Sequence, residues 1–364
     1  MTISYAPLEL PPAYRRYIKR EGDIQFGSSN GIGIDRDGLL LGLVLRFVGT
    51  VTAGATAPIA IDGNNSPHNI LSGINFMAGG NGNTVGIPGD LLDEFYRNLS
   101  HHNTDNVTFP VPAADATVDV EFGWYIPIAV RDPEFLFSGP GDLAGAIYTG
   151  DGQLSCKLTL SWNTGAVWYS NFTAAAPVIA GQVNVYSHKL DVPQPQNDPM
   201  LLAAISWYHA IQQDTDSGLA SVAPVVYQPS VGQTRTYVRW FEFWQNDGIF
   251  TAGMLSSLDV SVQGITQWFN TLPEDVLLAQ QAAINGGTMD PGCYVVDLAA
   301  SKTRDQWIDV TNVTELKLTA QMTAGTALTN ATFRTVAEYM QPSSLAQKWI
   351  AKASSAVQKA AAAA

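Results

Sequence analysis

The stretch Gly27-Ser28-Ser29-Asn30-Gly31-Ile32-Gly33 has the composition of a loop whose backbone N–H groups cradle a phosphate. That chemistry needs a strand before the loop, a helix after it and a closing Lys-Ser/Thr, and none is evident, so the segment is expected to be a flexible arm. Asp35-Arg36-Asp37-Gly38 opens like a calcium loop, but Arg46 stands at the twelfth position, where a bidentate Glu is required. It is expected to be a turn. The adjacent His101 and His102 point about 100° apart on a helix and to opposite faces on a strand, poor geometry for one metal. His68, His188 and His209 are isolated, so all five histidines read as structural or solvated. Cys156 and Cys293 show no CxxC or Cys/His spacing and are expected to be buried, reduced thiols. Trp162, Trp168, Trp240, Trp244, Trp268 and Tyr237 could stack a sugar, although large aromatics more often anchor a core or an interface. Acidic residues scatter along polar strand faces, and two of them from distant strands could still meet as the carboxylate pair of a glycoside hydrolase. No cofactor and no metal site is expected.

The elements that would position these residues are mostly strands. Val118, Val120, Phe122, Trp124, Ile126 and Ile128 alternate with polar residues at the period of a half-buried strand. Cys156-Leu158-Leu160-Trp162, Leu258-Val260-Val262 and Leu316-Leu318-Ala320-Met322 repeat that pattern. Turn clusters separate these runs, as at Asp62-Gly63-Asn64-Asn65 and Gly79-Gly80-Asn81-Gly82-Asn83, which reads as a sandwich or jelly roll. Two helices interrupt the strands. One opens at Pro88-Gly89-Asp90 and carries Leu91, Leu92, Phe95, Tyr96 and Leu99; the other opens at Pro273-Glu274-Asp275 and carries Val276, Leu277 and Ile284. Acids in the first turn suit the helix dipole in both. The order strand, helix, strand thus occurs twice, which predicts two similar β domains. Between them Asp198-Pro199 predicts a linker helix running to Ile211.

Only 14% of residues are charged and 46% are hydrophobic, so much of the surface must be uncharged, as suits subunit contacts. The net charge of −13 is uneven: residues 1–20 and 339–364 each carry +3, which leaves −19 for residues 21–338. An acidic body repels nucleic acid, while cationic ends seek phosphate or anionic partners. After Pro342, Ser343 and Ser344 can cap an amphipathic helix with Leu345 and Trp349 on one side and Lys348, Lys352 and Lys359 on an adjoining stripe. No apolar run approaches the roughly 18 residues of a membrane span, and residues 1–30 lack the apolar core of a secretory signal.

Asn69-Ile70-Leu71-Ser72-Gly73-Ile74-Asn75-Phe76, Leu91-Leu92-Asp93-Glu94-Phe95-Tyr96-Arg97-Asn98 and Gly123-Trp124-Tyr125-Ile126-Pro127-Ile128-Ala129, leading to Asp142-Leu143-Ala144-Gly145-Ala146-Ile147-Tyr148, resemble the first jelly roll of tectivirus-type major capsid proteins. Val183–Asp191 and Pro291-Gly292-Cys293-Tyr294-Val295 are similar to that family's linker strand and second jelly roll. The resemblance implies an all-β fold of two consecutive eight-stranded jelly rolls, with short helices in loops and at the termini. The implied division is a basic arm at 1–37, the first jelly roll at 38–190, a linker with a short helix at 191–232, the second jelly roll at 233–340 and a basic amphipathic helix at 341–364. It further implies a non-enzymatic shell protein. Homotrimers of pseudo-hexagonal outline would tile an icosahedral bacteriophage virion that encloses a membrane, assembled in the host cytoplasm. The implied partners are further copies of the chain, minor capsid and vertex proteins and the inner phage membrane, with no sequence-specific nucleic acid. Arg15, Arg16, Lys19, Arg20, Lys348, Trp349, Lys352 and Lys359 are the residues expected to touch membrane or neighbouring capsomers. The alternative is a carbohydrate-binding or carbohydrate-cleaving β-sandwich: a lectin, a hydrolase or a viral receptor-binding protein.

Overall fold

The computed structural model describes residues 16–60, 67–79, 83–100, 110–129, 145–149, 155–172, 176–192, 205, 207–232, 234–264, 266–285, 291–297 and 308–343. The first half contributes long strands β1 (Arg16–Gln25), β2 (Ile32–Ile34), β3 (Leu39–Thr52), β5 (Leu71–Ala78), β6 (Asn83–Ile87), β7 (Thr117–Pro127), β9 (Cys156–Trp162) and β11 (Val178–Leu190). The short pairs β4 (Ile59–Ala60), β8 (Ile147–Tyr148) and β10 (Tyr169–Ser170) accompany them. One sheet runs β1-β11-β3-β7 and the facing layer runs β2-β9-β5-β6. Counted along the chain, the eight long strands therefore lie in the orders 1-8-3-6 and 2-7-4-5, the interleaving of a jelly roll.

The second half repeats it. Strands β12 (Trp207–Leu219), β21 (Ala331–Pro342), β14 (Thr236–Asn246) and β18 (Cys293–Asp297) form one layer, and β13 (Val225–Tyr227), β20 (Leu316–Met322), β16 (Leu255–Val262) and β17 (Thr266–Pro273) the other. The strand orders are again 1-8-3-6 and 2-7-4-5; β15 (Ile249–Phe250) and β19 (Ile308–Asp309) add short pairings to β14. Helix α1 (Gly89–Ser100) and helix α2 (Glu274–Asn285) each connect the fifth strand of their barrel to the sixth, so the predicted repeat is a duplication of the whole barrel.

Alternation places the cores. In β7, Val120, Phe122, Trp124 and Ile126 point inward while Asp119 and Glu121 stay exposed. Phe122 lies opposite Phe47 of β3, their rings stacked 5.2 Å apart. The second barrel encloses Trp240, Trp244, Leu258, Val260, Leu318 and Tyr339. The barrels are joined by a parallel pairing of β6 with β12 (Val85 opposite Ile211), which merges strands of both halves into one 10-stranded sheet. Phe241, Phe243, Cys293 and Val336 of the second half belong to the first half's apolar cluster.

Three expected boundaries change. Residues 16–25, assigned to a basic arm, are the first strand of the first jelly roll, because their alternation is between polar side chains that have partners on the inner side. The linker predicted to carry a helix to Ile211 ends sooner: Trp207–Leu219 is strand β12, paired along β21, and β13 follows it, so the second jelly roll begins at 207 and not 233. Residues 193–204, where that helix would start, are outside the described part. At the far end β21 runs through Gln341 and Pro342, which the sequence gives to the terminal helix.

Candidate functional site

Of the expected contact residues, Arg16, Lys19 and Arg20 are described, whereas Arg15, Lys348, Trp349, Lys352 and Lys359 lie outside the described residues. Strand alternation splits the three. Arg16 and Arg20 face outward, and Arg20 is held by Asp23 at 2.8 Å. Lys19 turns toward the bend between β2 and β3, where it meets Asp35 at 2.7 Å and also Asp37. Hydrogen bonds to Asp35 and then Asp37 raise its pKa.

Beneath it Lys189 of β11 is wholly buried, with its Nζ 2.8 Å from Glu21 Oε1, donating to the Asp35 carbonyl at 2.9 Å and pairing with Asp37. Glu21 is capped further by the Ser187 hydroxyl and by the Asp35 N–H at 2.8 Å. Burial alone would raise the Asp37 carboxyl; hydrogen bonds from Lys189 and Lys19 outweigh it and hold Asp37 below the usual carboxylate range. The calcium-like motif is thus filled by two ammonium groups. Among the described residues no group of three or more His, Cys, Asp or Glu could hold a metal ion.

A second polar cluster lies between the barrels. His209 (β12) bonds Glu338 (β21) at 2.8 Å through Nε2 and approaches the Ile128 carbonyl of the first barrel at 3.3 Å through Nδ1. Arg239 (β14) reaches the other Glu338 oxygen at 2.6 Å. Burial of Glu338 would raise its pKa, but the Arg239 charge and the His209 hydrogen bond prevail and lower it. Nearby, α1 offers Asp90 to Arg334 of β21 at 2.7 Å, Glu94 to the Cys293 thiol at 3.8 Å, and Phe95 to Phe241 with ring centroids 4.5 Å apart. This network ties one barrel to the other.

The remaining candidates resolve into structural parts. Gly27–Gly33 connects β1 to β2, and a Cβ on Gly31 would sit 2.6 Å from the Leu158 carbonyl oxygen, so the segment is packed against β9 rather than a flexible arm. Its Gly27-Ser28-Ser29-Asn30-Gly31 spells the Gly-x-Ser-x-Gly of hydrolases, but a nucleophile elbow joins a strand to a helix and this loop joins two strands. His68 bonds the Gly123 carbonyl at 2.9 Å and faces Asp93 at 3.3 Å. His101 and His102 are outside the described residues. Both cysteines are buried and neither is in a disulfide, and burial lifts the Cys156 thiol to about 11. Trp168, Trp240, Trp244 and Tyr237 are all core residues with no exposed face, and Trp162 is half-buried, edge-on to Phe26 at 5.0 Å. They form no stacking platform. No described helix is long and apolar enough to cross a membrane.

The architecture is a double jelly roll whose halves meet through a buried polar network and a shared apolar cluster. No family model matches the sequence, and no curated protein does. Solved structures do. The major capsid protein of Sulfolobus Turreted Icosahedral Virus (STIV) is similar with a TM-score of 0.68 at 12% identity, covering 92% of this chain and 98% of that one. The PBCV-1 virus capsid gives 0.61 at 14% identity over 93% and 97%. Major capsid protein P2 of bacteriophage PM2 gives 0.55 at 11% identity over 91% and 98%. The chain has the fold of these viral major capsid proteins over nearly its whole length.

Proposed function

We propose that the protein is a structural capsid subunit that assembles as homotrimers of pseudo-hexagonal outline into an icosahedral virion of tectivirus type enclosing a membrane. The observation that carries this reading is the duplication itself. Two barrels with one strand order stand side by side in a chain, and a three-fold axis would repeat them into six similar units, a footprint that tiles a plane. The low charge content supports it, since uncharged surface suits large subunit interfaces. Four of the aromatic residues that would serve the carbohydrate-binding alternative, Trp168, Trp240, Trp244 and Tyr237, are spent in the cores. In this reading the partners are further copies, minor capsid and vertex proteins and the inner membrane, and assembly takes place in the host cytoplasm. Residues 344–364, with Lys348, Trp349, Lys352 and Lys359, are assigned to the inner side, against lipid headgroups or a neighbouring capsomer; Arg16 and Arg20 are left to the outer face of a sheet. The test is the native mass, expected at three times 39.0 kDa, together with micrographs of concentrated protein showing a hexagonal lattice. A stable monomer at micromolar concentration overturns the reading. Flotation of a 341–364 peptide with anionic vesicles at low salt tests the membrane contact.

A further inference from the structure

Two irregularities of strand pairing meet at one place in the first barrel. Between β1 and β11 the register shifts from Arg20 to Gly22, so Glu21 is an extra residue with no partner across the ladder. Between β11 and β3 it shifts from His188 to Lys189, where Leu41 is the extra residue. Bulges re-aim side chains, and here Glu21 and Lys189 enter the same dry space: neither side chain has any exposure, and Lys189 Nζ stands 2.8 Å from Glu21 Oε1.

The groups around this pair are those that an amide-forming reaction needs. Glu21 Oε2 accepts the Asp35 backbone N–H at 2.8 Å, a donor placed to stabilise negative charge that develops on that oxygen. The Ser187 hydroxyl donates to Oε1. Asp37 touches the same Lys189 Nζ, while Lys19 holds its other oxygen, so a second carboxylate is fixed beside the amine as a proton acceptor. The Asp37 side chain is 34% exposed, which gives a released water a way out. The Asp35 carbonyl, 2.9 Å from Nζ, is in place to accept the N–H of the product.

We propose that Lys189 and Glu21 condense in the folded chain to an isopeptide bond, a covalent tie between the first and last strands of the first barrel, with Asp37 carrying the protons. Asp37 takes one proton from the Lys189 ammonium, and the free amine attacks Glu21 Cδ to form the new C–N bond. Asp37 returns that proton to Oε1 and passes on a second one from the nitrogen; the C–O bond then breaks and Oε1 leaves as water. Oε2 stays as the amide oxygen on the Asp35 N–H. Nothing is oxidised or reduced, and the total charge of the cluster is unchanged. What changes is that a buried ion pair, costly to desolvate, becomes a neutral amide whose hydrogen-bond partners are already present.

The experiment is the intact mass of the denatured full chain, followed by digestion with trypsin. The expected mass is that of the sequence less one water. The expected fragment joins residues 21–36 to residues 158–235, uncut after Lys189. A chain at its full sequence mass overturns the proposal whatever any variant does. So does a water lost elsewhere, above all at Asp37-Gly38, where closure of the aspartate on the next backbone nitrogen also expels one water. Asp37→Asn keeps Glu21 and Lys189 but removes the proton carrier. Because such groups contribute roughly 10²–10⁴-fold, the linked fraction in pulse-labelled chains at early times is expected to fall at least about tenfold. Linking at the parent's rate in this variant overturns the role given to Asp37.

Discussion

Asp90 and Arg334 meet at 2.7 Å although one opens a helix of the first barrel and the other lies on the last strand of the second. Both side chains are about nine-tenths buried, so each is the other's answer to desolvation. Arg334→Met leaves a buried carboxylate without its cation and is expected to cost about 3 kcal/mol or more in a urea titration. The double variant Asp90→Leu with Arg334→Met is expected to recover most of that loss. Equal losses in single and double variants would show that the pair contributes no coupling.

Glu242 is fully buried and receives one hydrogen bond, from the Trp244 indole N–H at 3.3 Å. Burial lifts its carboxyl to about 8 against that bond. The folded chain therefore holds a proton that the unfolded chain releases near pH 4.5, and stability falls as pH rises from about 4.5 to about 8, levelling beyond. Glu242→Gln keeps the acceptor without the charge. It is expected to flatten this slope, with a gain in stability that is small at pH 5 and on the order of several kcal/mol at pH 8. Parallel pH profiles for the two proteins would remove Glu242 as the source.

The two lysines of the first barrel should differ sharply. Lys189→Met strands Glu21, whose side chain is wholly buried, and is expected to cost roughly 3–5 kcal/mol. Lys19 is one-third exposed, and Lys19→Met is expected to cost under about 1 kcal/mol, and less at high salt. Because Asp37 is held below its ordinary range, the stability that it contributes is present above pH 4 and lost as pH falls through its folded value. Denaturation midpoints at pH 7 and pH 3 check both statements.

Gly145 adopts φ +82°, and a Cβ there would sit 2.6 Å from His209 Cβ and 2.9 Å from His209 N. Gly145→Ala combines about 1–2 kcal/mol of left-handed strain with a clash against backbone of the other barrel. It is expected to destabilise by 2 kcal/mol or more on that basis. Gly232→Ala, with φ +73° and open space around it, is expected to show the strain alone. Similar losses at both glycines would mean that His209 yields.

The strands with one apolar and one polar face were legible in the sequence. Val118–Ile128 and Leu316–Met322 announce themselves by alternation, and both helices by a Pro and acids before a periodic apolar run. Strand β1 is not, because most of its inward residues, Tyr17, Lys19 and Glu21, are polar and find their partners Asp37, Lys189 and Ser187 on other elements, with Ile24 alone joining the apolar core. Five residues, Asn83-Thr84-Val85-Gly86-Ile87, form β6 without a clear pattern, since β12 of the other barrel supplies the neighbour. In β12 itself a short apolar start gives way to Gln212, Gln213, Asp214 and Asp216, and the pairing with β21 overrides the local preference. The junction was invisible for the same reason: Glu338, His209 and Arg239 have no common spacing, and only the sheet brings them together.

The shared apolar cluster has a consequence for synthesis. Phe95 of α1 shares one apolar cluster with Phe241, Cys293 and Val336, the last of which lies near the far end of the described chain. While a ribosome makes the intervening segment, the first barrel has a bare apolar side, and at about 5–20 residues per second that interval lasts roughly 10–50 s. During that time many nascent chains on one messenger present the same sticky surface to one another. The acidic body, with −19 over residues 21–338, supplies a repulsion between such chains that acts before the fold is finished.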